Sequence, residues 1–230
     1  MQERLSNIGR PEYEFTSQKV LLFLTGVPLS GKSTIAPLVA ASVKSCAIQS
    51  MDIFRLMAQE LEKTKPEKDR NPFVHYGSCD SYKLVGDGQY TQRGLIDGYM
   101  AYSRAVSSLL GLVVPKLEAQ GVQDLLFEGV QLAPDIIEPY LKGKDARLII
   151  LRTNEPKLLS NRREIFGDNA EMEERYSTER LLVLQDEILK QGKKIPSDKV
   201  AVIDNIGEYT ETASQVLQFL SKTGLIRQIG

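Results

Sequence analysis

The chain has 230 residues, 42% hydrophobic and 26% charged, which is enough for one substantial core and points to a single α/β domain. Its formal net charge of -1 and pI near 6.0 exclude the global basic footprint of a polyanion-binding protein, so a long nucleic acid is disfavoured as a partner. No apolar run approaches the roughly 20 residues of a membrane span, the N-terminus lacks the basic start and apolar core of a secretory signal, and Cys46 and Cys79 form no metal or CxxC spacing; a cytosolic, reducing setting is expected.

Residues 1–18 are polar and mixed in sign and read as a flexible leader, with the functional domain over residues 19–230. An apolar run at 19–25 predicts a buried parallel strand, and residues 32–43 predict a helix that tolerates Pro37 near its start. Between them stands Gly26-Val-Pro-Leu-Ser30-Gly31-Lys32-Ser33, which fits the phosphate-binding pattern GxxxxGK[ST] in the required order of strand, turn and helix. A triphosphate needs donors converging on its oxygens. Gly26 and Gly31 fall where a side chain would obstruct the backbone's approach, and the following helix aims its free N–H groups at the same anion. Gly26, Ser30, Gly31, Lys32, Ser33 and Thr34 are therefore the expected nucleotide-binding set. Lys32 would reach the β- and γ-phosphates, and Ser33 would ligate Mg²⁺.

A second strand is expected at 45–49, with Cys46 as a small core residue, and a helix at 52–62 with Ile53, Leu56, Met57 and Leu61 on one side. Residues 63–72 read as a charged, proline-punctuated loop and 73–88 as an irregular segment over the site. A long helix at 91–120, broken near Gly111 or kinked at Pro115, precedes a short strand at 124–128 that ends in Glu128-Gly129. Thereafter the pattern predicts a brief helix at 134–141, a strand at 147–151, a basic helix at 154–166, a longer helix at 172–191, a strand at 199–203 and a closing helix at 208–221. Strands alternating with helices predict a five-stranded parallel sheet covered on both faces, with ligands at the carboxyl ends of its strands.

Several polar residues fall on that rim. Asp52, just past the second strand, is placed to orient an acceptor hydroxyl and take its proton; its structural alternative is a helix N-cap. Glu128 is placed to hold Mg²⁺ or polarise the acceptor, or else is a strand-end acid satisfied by solvent. Gln131 could donate to a substrate, and Arg55, three residues after Asp52, could hold an anionic acceptor. Arg162 and Arg163 fall within about residues 154–175, between the fourth strand and the long helix that follows. They would neutralise charge on a transferred phosphoryl group, or else pair with Glu164 or the Glu171, Glu173 and Glu174 cluster. His75 has no serine or cysteine partners for a triad, and Tyr99 and Tyr102 read as packing residues.

With these residues in hand, the chain resembles the P-loop kinases with an adenylate-kinase-like core, and more closely the 2-phosphoglycerate kinase group. The resemblance rests on the loop, on Phe127-Glu-Gly-Val-Gln-Leu132 followed by Ala133-Pro-Asp-Ile-Ile137, on Arg175-Tyr-Ser-Thr-Glu-Arg180, and on a strand ending in Asp204-Asn205. It differs from many of that group in carrying Gln131 where a histidine often stands. The likeness implies a P-loop NTPase fold with a small helical lid, catalysis by Lys32, Asp52, Arg162 and Arg163, and an ATP- and Mg²⁺-dependent kinase acting on a hydroxyl of a small metabolite, itself phosphorylated or not. A nucleoside or polynucleotide 5′-hydroxyl kinase would use the same machinery. An ATP-dependent switch binding a protein partner is a third reading; its GTPase form would want Asn-Lys-x-Asp where Thr153-Asn-Glu-Pro156 stands.

Overall fold

The computed structural model describes residues 12–143 and 145–229. Residues 1–11 of the expected leader lie outside the described residues; the rest of it carries a short strand. Strand β1 (Tyr13–Phe15) pairs antiparallel with β7 (Ile226–Gln228), bringing the two ends of the described chain together.

The main sheet contains β2 (Leu21–Thr25), β3 (Ala47–Ser50), β4 (Leu125–Glu128), β5 (Ala146–Arg152) and β6 (Val200–Asp204). Its order is β3-β4-β2-β5-β6, and every pairing is parallel. Five parallel strands with helices on both faces is the expected architecture. The order places β2 at the centre, and the chain leaves it for β3 by crossing β4, so a crevice opens beyond the end of β2 where the strand order reverses. Register then aligns the rim: Leu24 and Ser50 both lie opposite Glu128, and Arg152 lies opposite Asp204.

Two cores flank the sheet. On one face α1 (Lys32–Ser42) and α9 (Tyr209–Lys222) cover Leu22, Leu24, Leu126, Ile149 and Leu151 with Ile35, Val39, Val216 and Leu220. On the other, α2 (Met51–Lys63), α3 (Gln92–Ser107), α5 (Pro134–Leu141) and α8 (Thr178–Gly192) pack on Phe23, Phe127, Leu148 and Ile150. Alternate residues of a strand point to opposite faces, so a sheet covered twice needs the nearly unbroken apolar runs that β2, β4 and β5 supply. Tyr99 and Tyr102 pack in this second core, as expected.

The expected helix over residues 91–120 is broken near Gly111, as the sequence predicts: α3 ends at Ser107 and α4 (Leu110–Ala119) starts anew, with Pro115 inside it. Two elements depart from expectation. The expected helix over 172–191 is two. Asn169 caps α7 (Ala170–Arg175) through Met172 N at 3.1 Å, and Ser177 caps α8 through Arg180 N at 3.4 Å, so each helix has its own start signal. Helix α2 forms as predicted but with its stripe outward: Ile53, Leu56, Met57 and Leu61 are 45–58% exposed, while Met51, Phe54 and Ala58 face the core. Phe54 sets that orientation by packing edge-on against Phe127, with ring centroids 5.9 Å apart. Cys46 also differs, lying half-buried just before β3, whereas Cys79 is buried.

Candidate active site

The loop between β2 and α1 takes a conformation that two of its residues could adopt only as glycine. At Gly26, with φ +152°, an added Cβ would lie 2.8 Å from the Leu151 carbonyl oxygen of the neighbouring strand. At Gly31, with φ +87°, it would lie 2.5 Å from Asn205 Nδ2 and 2.9 Å from the Tyr209 ring. Leu29, also left-handed at φ 66°, is held there from outside: Asn161 Nδ2, on α6 (Glu155–Phe166), donates to its carbonyl oxygen at 2.7 Å. Asn205 Nδ2 donates to the Ser30 carbonyl at 2.8 Å, and Thr212 Oγ1 fixes Asn205 by donating to its Oδ1 at 2.9 Å. Tyr209 completes the brace by donating to Asn161 Oδ1 at 3.2 Å. Two carbonyls of the loop are thus tied to α6 and to the segment after β6.

Lys32, the first residue of α1, is buried, and its Nζ donates to the Val27 carbonyl at 2.7 Å across its own loop. Burial drives its pKa down from 10.5 to about 8, and the nearby negative charges of Glu128 and Asp52 only partly restore it. An anion arriving at this ammonium would find it already desolvated. Thr34 uses its backbone N–H on the Gly31 carbonyl at 3.0 Å and is exposed.

Ser33 Oγ donates to Glu128 Oε2 at 3.3 Å, joining loop and strand end. These are hard oxygen donors, and among the described residues no group of three His, Cys, Asp or Glu side chains could hold a metal alone. That donor set fits Mg²⁺, which keeps waters and completes its shell with phosphate oxygens. Asp52 stands in the first turn of α2, but the cap is Ser50, whose Oγ accepts from Asp52 N at 3.4 Å. The Asp52 carboxylate is therefore free of capping duty. It accepts instead from Gln131 Nε2 at 3.0 Å. Gln131 spends its other donor on Tyr102 OH at 2.8 Å, so its amide protons are committed within the protein and not to a substrate. Arg55 flanks the same tyrosine, and its Nε is buried without a hydrogen-bond partner.

Arg162 and Arg163, the arginines expected in a lid, separate. Arg162 on α6 is nearly buried and donates to Glu173 Oε1 at 2.8 Å, the acid-cluster pairing, while Arg163 is exposed. Two arginines outside the expected catalytic set are better placed against the irregular segment. Arg175 Nε lies 2.5 Å from Asp80 Oδ2, and Arg180 lies over the rings of Tyr82 and Tyr90 at 5.2 and 5.0 Å. Residues 175–180 and the segment around Asp80 and Tyr82 therefore meet, with Phe166 stacked on Tyr176 at 5.4 Å behind them. His75 is exposed, as a surface residue. A cavity of about 420 Å³ lies at the opposite end of the sheet, lined by Phe15, Lys44 and Asp124 among others, far from these groups. No helix among the described residues is long and apolar enough to cross a membrane.

The sheet order and the braced loop at the end of its central strand define a five-stranded parallel α/β fold of the P-loop type. A gluconokinase from Sinorhizobium meliloti 1021 shares it at TM-score 0.52 and 12% identity, covering 90% of this chain and 94% of that one. A thymidylate kinase from Candida albicans is similar at TM-score 0.46 and 13% identity, over 94% of this chain and 100% of that one. No protein-family model and no curated protein matches the sequence, so the likeness is one of fold.

Proposed function

We propose that the chain is an ATP- and Mg²⁺-dependent kinase that transfers the γ-phosphoryl group to a hydroxyl of a small metabolite. The observation that carries this reading is the convergence, on one rim of the sheet, of a desolvated Lys32, the Ser33–Glu128 pair and a carboxylate, Asp52, held clear of capping. The loop amides and Lys32 bind the triphosphate, and Ser33 and Glu128 hold the metal, which when bound neutralises charge on the phosphate oxygens. Asp52 accepts the proton of the acceptor hydroxyl as the new O–P bond forms and the bond to the β-phosphate oxygen breaks, releasing ADP. Arg162 and Arg163 of the lid, over about residues 154–175, close on the transferred group.

The unpartnered Nε of Arg55 favours an acceptor that carries an anionic oxygen besides its hydroxyl, which agrees with the resemblance to the 2-phosphoglycerate kinase group. Phosphoryl transfer from MgATP to 2-phosphoglycerate, sugar acids, nucleosides and 5′-hydroxyl oligonucleotides tests this. Turnover is expected on an anionic hydroxy compound and is expected to vanish in Lys32→Ala. Wild-type turnover in that variant would remove the assignment.

A further inference from the structure

Gln131 is wholly buried, and its environment is costly in a way that packing alone does not explain. Its Nε2 donates to Asp52 Oδ1 and to Tyr102 OH, while its Oε1 is buried with no hydrogen-bond partner. The amide cannot turn over to relieve this, because the Asp52 carboxylate only accepts and would then face an oxygen. An orphaned buried acceptor destabilises a fold, and an apolar side chain of the same length would avoid it.

The surroundings are built to keep the amide in that orientation. Helix α3 pins the backbone on which Gln131 rides: Tyr99 OH donates to the Val130 carbonyl at 3.0 Å and Ser107 Oγ to the Gln131 carbonyl at 2.9 Å. Gly129 leaves the space. A Cβ there would lie 2.4 Å from Gln131 Oε1 and 2.5 Å from Met51 Cβ. Among the described residues, Gln131 is the sole hydrogen-bond donor to the Asp52 carboxylate, which otherwise stands exposed on the first turn of α2.

We propose that Gln131 is the positioning residue for Asp52, a rigid arm from the segment between β4 and α5, pinned by α3, that fixes Oδ1 so that Oδ2 meets the acceptor hydroxyl. The inference rests on the kinase reading above but is tested apart from it. Gln131→Met removes the donor at equal length, and Gln131→Glu opposes one carboxylate to another.

Crystal structures of both variants are expected to show the Asp52 carboxylate displaced, while Gln131→Met melts within about 2 °C of wild type. With MgATP and no acceptor, so that water takes the phosphoryl group, kcat is expected to fall about tenfold to a hundredfold in Gln131→Met with KM for ATP unchanged. In an Asp52→Asn background the same change is expected to add nothing. An Asp52 carboxylate that keeps its place in Gln131→Met, or a melting temperature many degrees lower, would overturn the proposal. Full turnover in Asp52→Asn would instead refute the proton-acceptor role, and the position of Asp52 in the variant crystals would still decide the positioning role.

Discussion

Lys32 should take up a proton when nucleotide binds in mildly alkaline solution. In the free protein burial holds its pKa at about 8, against an ordinary value of 10.5, and a polyphosphate beside the ammonium restores the charged form. The free protein is then about half protonated at this position near pH 8 and about one-tenth protonated near pH 9, whereas the complex is fully protonated at both. Proton uptake per ATP bound should rise from about 0.1 near pH 7 to about 0.5 near pH 8 and about 0.9 near pH 9, and affinity should fall towards tenfold per pH unit above 8. Calorimetry in buffers of different ionisation enthalpy measures the uptake directly, and the γ-phosphate of MgATP is already ionised in this range. The unfolded chain holds more protons than the native one between pH 8 and 10.5, so the penalty for burying this charge, about 3 kcal/mol in full, is relieved as pH rises across that window. No uptake near pH 9, or equal uptake in Lys32→Met, would refute a desolvated lysine as the phosphate ligand.

Three further outcomes are expected. Asn205→Leu should lower stability by about 1–3 kcal/mol in denaturant titration and weaken ATP binding about tenfold, because the Ser30 carbonyl loses its buried donor and the loop its brace. Glu128→Gln should leave the melting temperature close to wild type and raise the Mg²⁺ concentration needed for half-maximal turnover by about tenfold, read from a metal titration of initial rates. Arg162→Ala should lower kcat by about a hundredfold or more with little change in ATP affinity; an unchanged kcat would leave its ion pair with Glu173 as its whole role.

What the sequence disclosed and what it hid divide along a physical line. The phosphate loop was legible because its demands are local: two glycines, a lysine and a hydroxyl within eight residues, between a strand and a helix. Asp52 and Glu128 were legible because a strand's carboxyl end is itself a location on the rim of a parallel sheet. The bracing of the loop was not. Asn161 and Asn205 reach carbonyls 132 and 175 residues away, and a lone asparagine carries no sign of so distant a partner. The short pairing of β1 with β7 was hidden for the same reason, since three residues give no periodicity to read. The α2 stripe shows a different limit: spacing reveals that one face of a helix is apolar but not which face the sheet will meet, and the larger Phe54 decided that. The cap at Ser177, by contrast, is a local signal, a serine three residues before the Arg180 amide it accepts from, set within the span where spacing alone predicts one continuous helix.

These limits bear on how the site works. The residues that a local motif specifies are those that would touch nucleotide, and the residues it does not specify hold the first set in place. Asn161 and Asn205 fix loop carbonyls, Tyr102 and Gln131 fix the Asp52 carboxylate, and Arg175 with Asp80 joins α7 to the irregular segment. A supporting shell of buried amides is costly wherever one atom is left unpaired, as at Gln131 Oε1. On the proposed kinase reading that cost secures the orientation of Asp52, since an ångström of misplacement at a reacting centre can cost about a hundredfold in rate. Substitutions in this supporting set should therefore affect turnover more than stability wherever the lost partner is a single exposed acceptor, as with Asp52. They should affect stability and binding together wherever it is a buried carbonyl, as with Ser30.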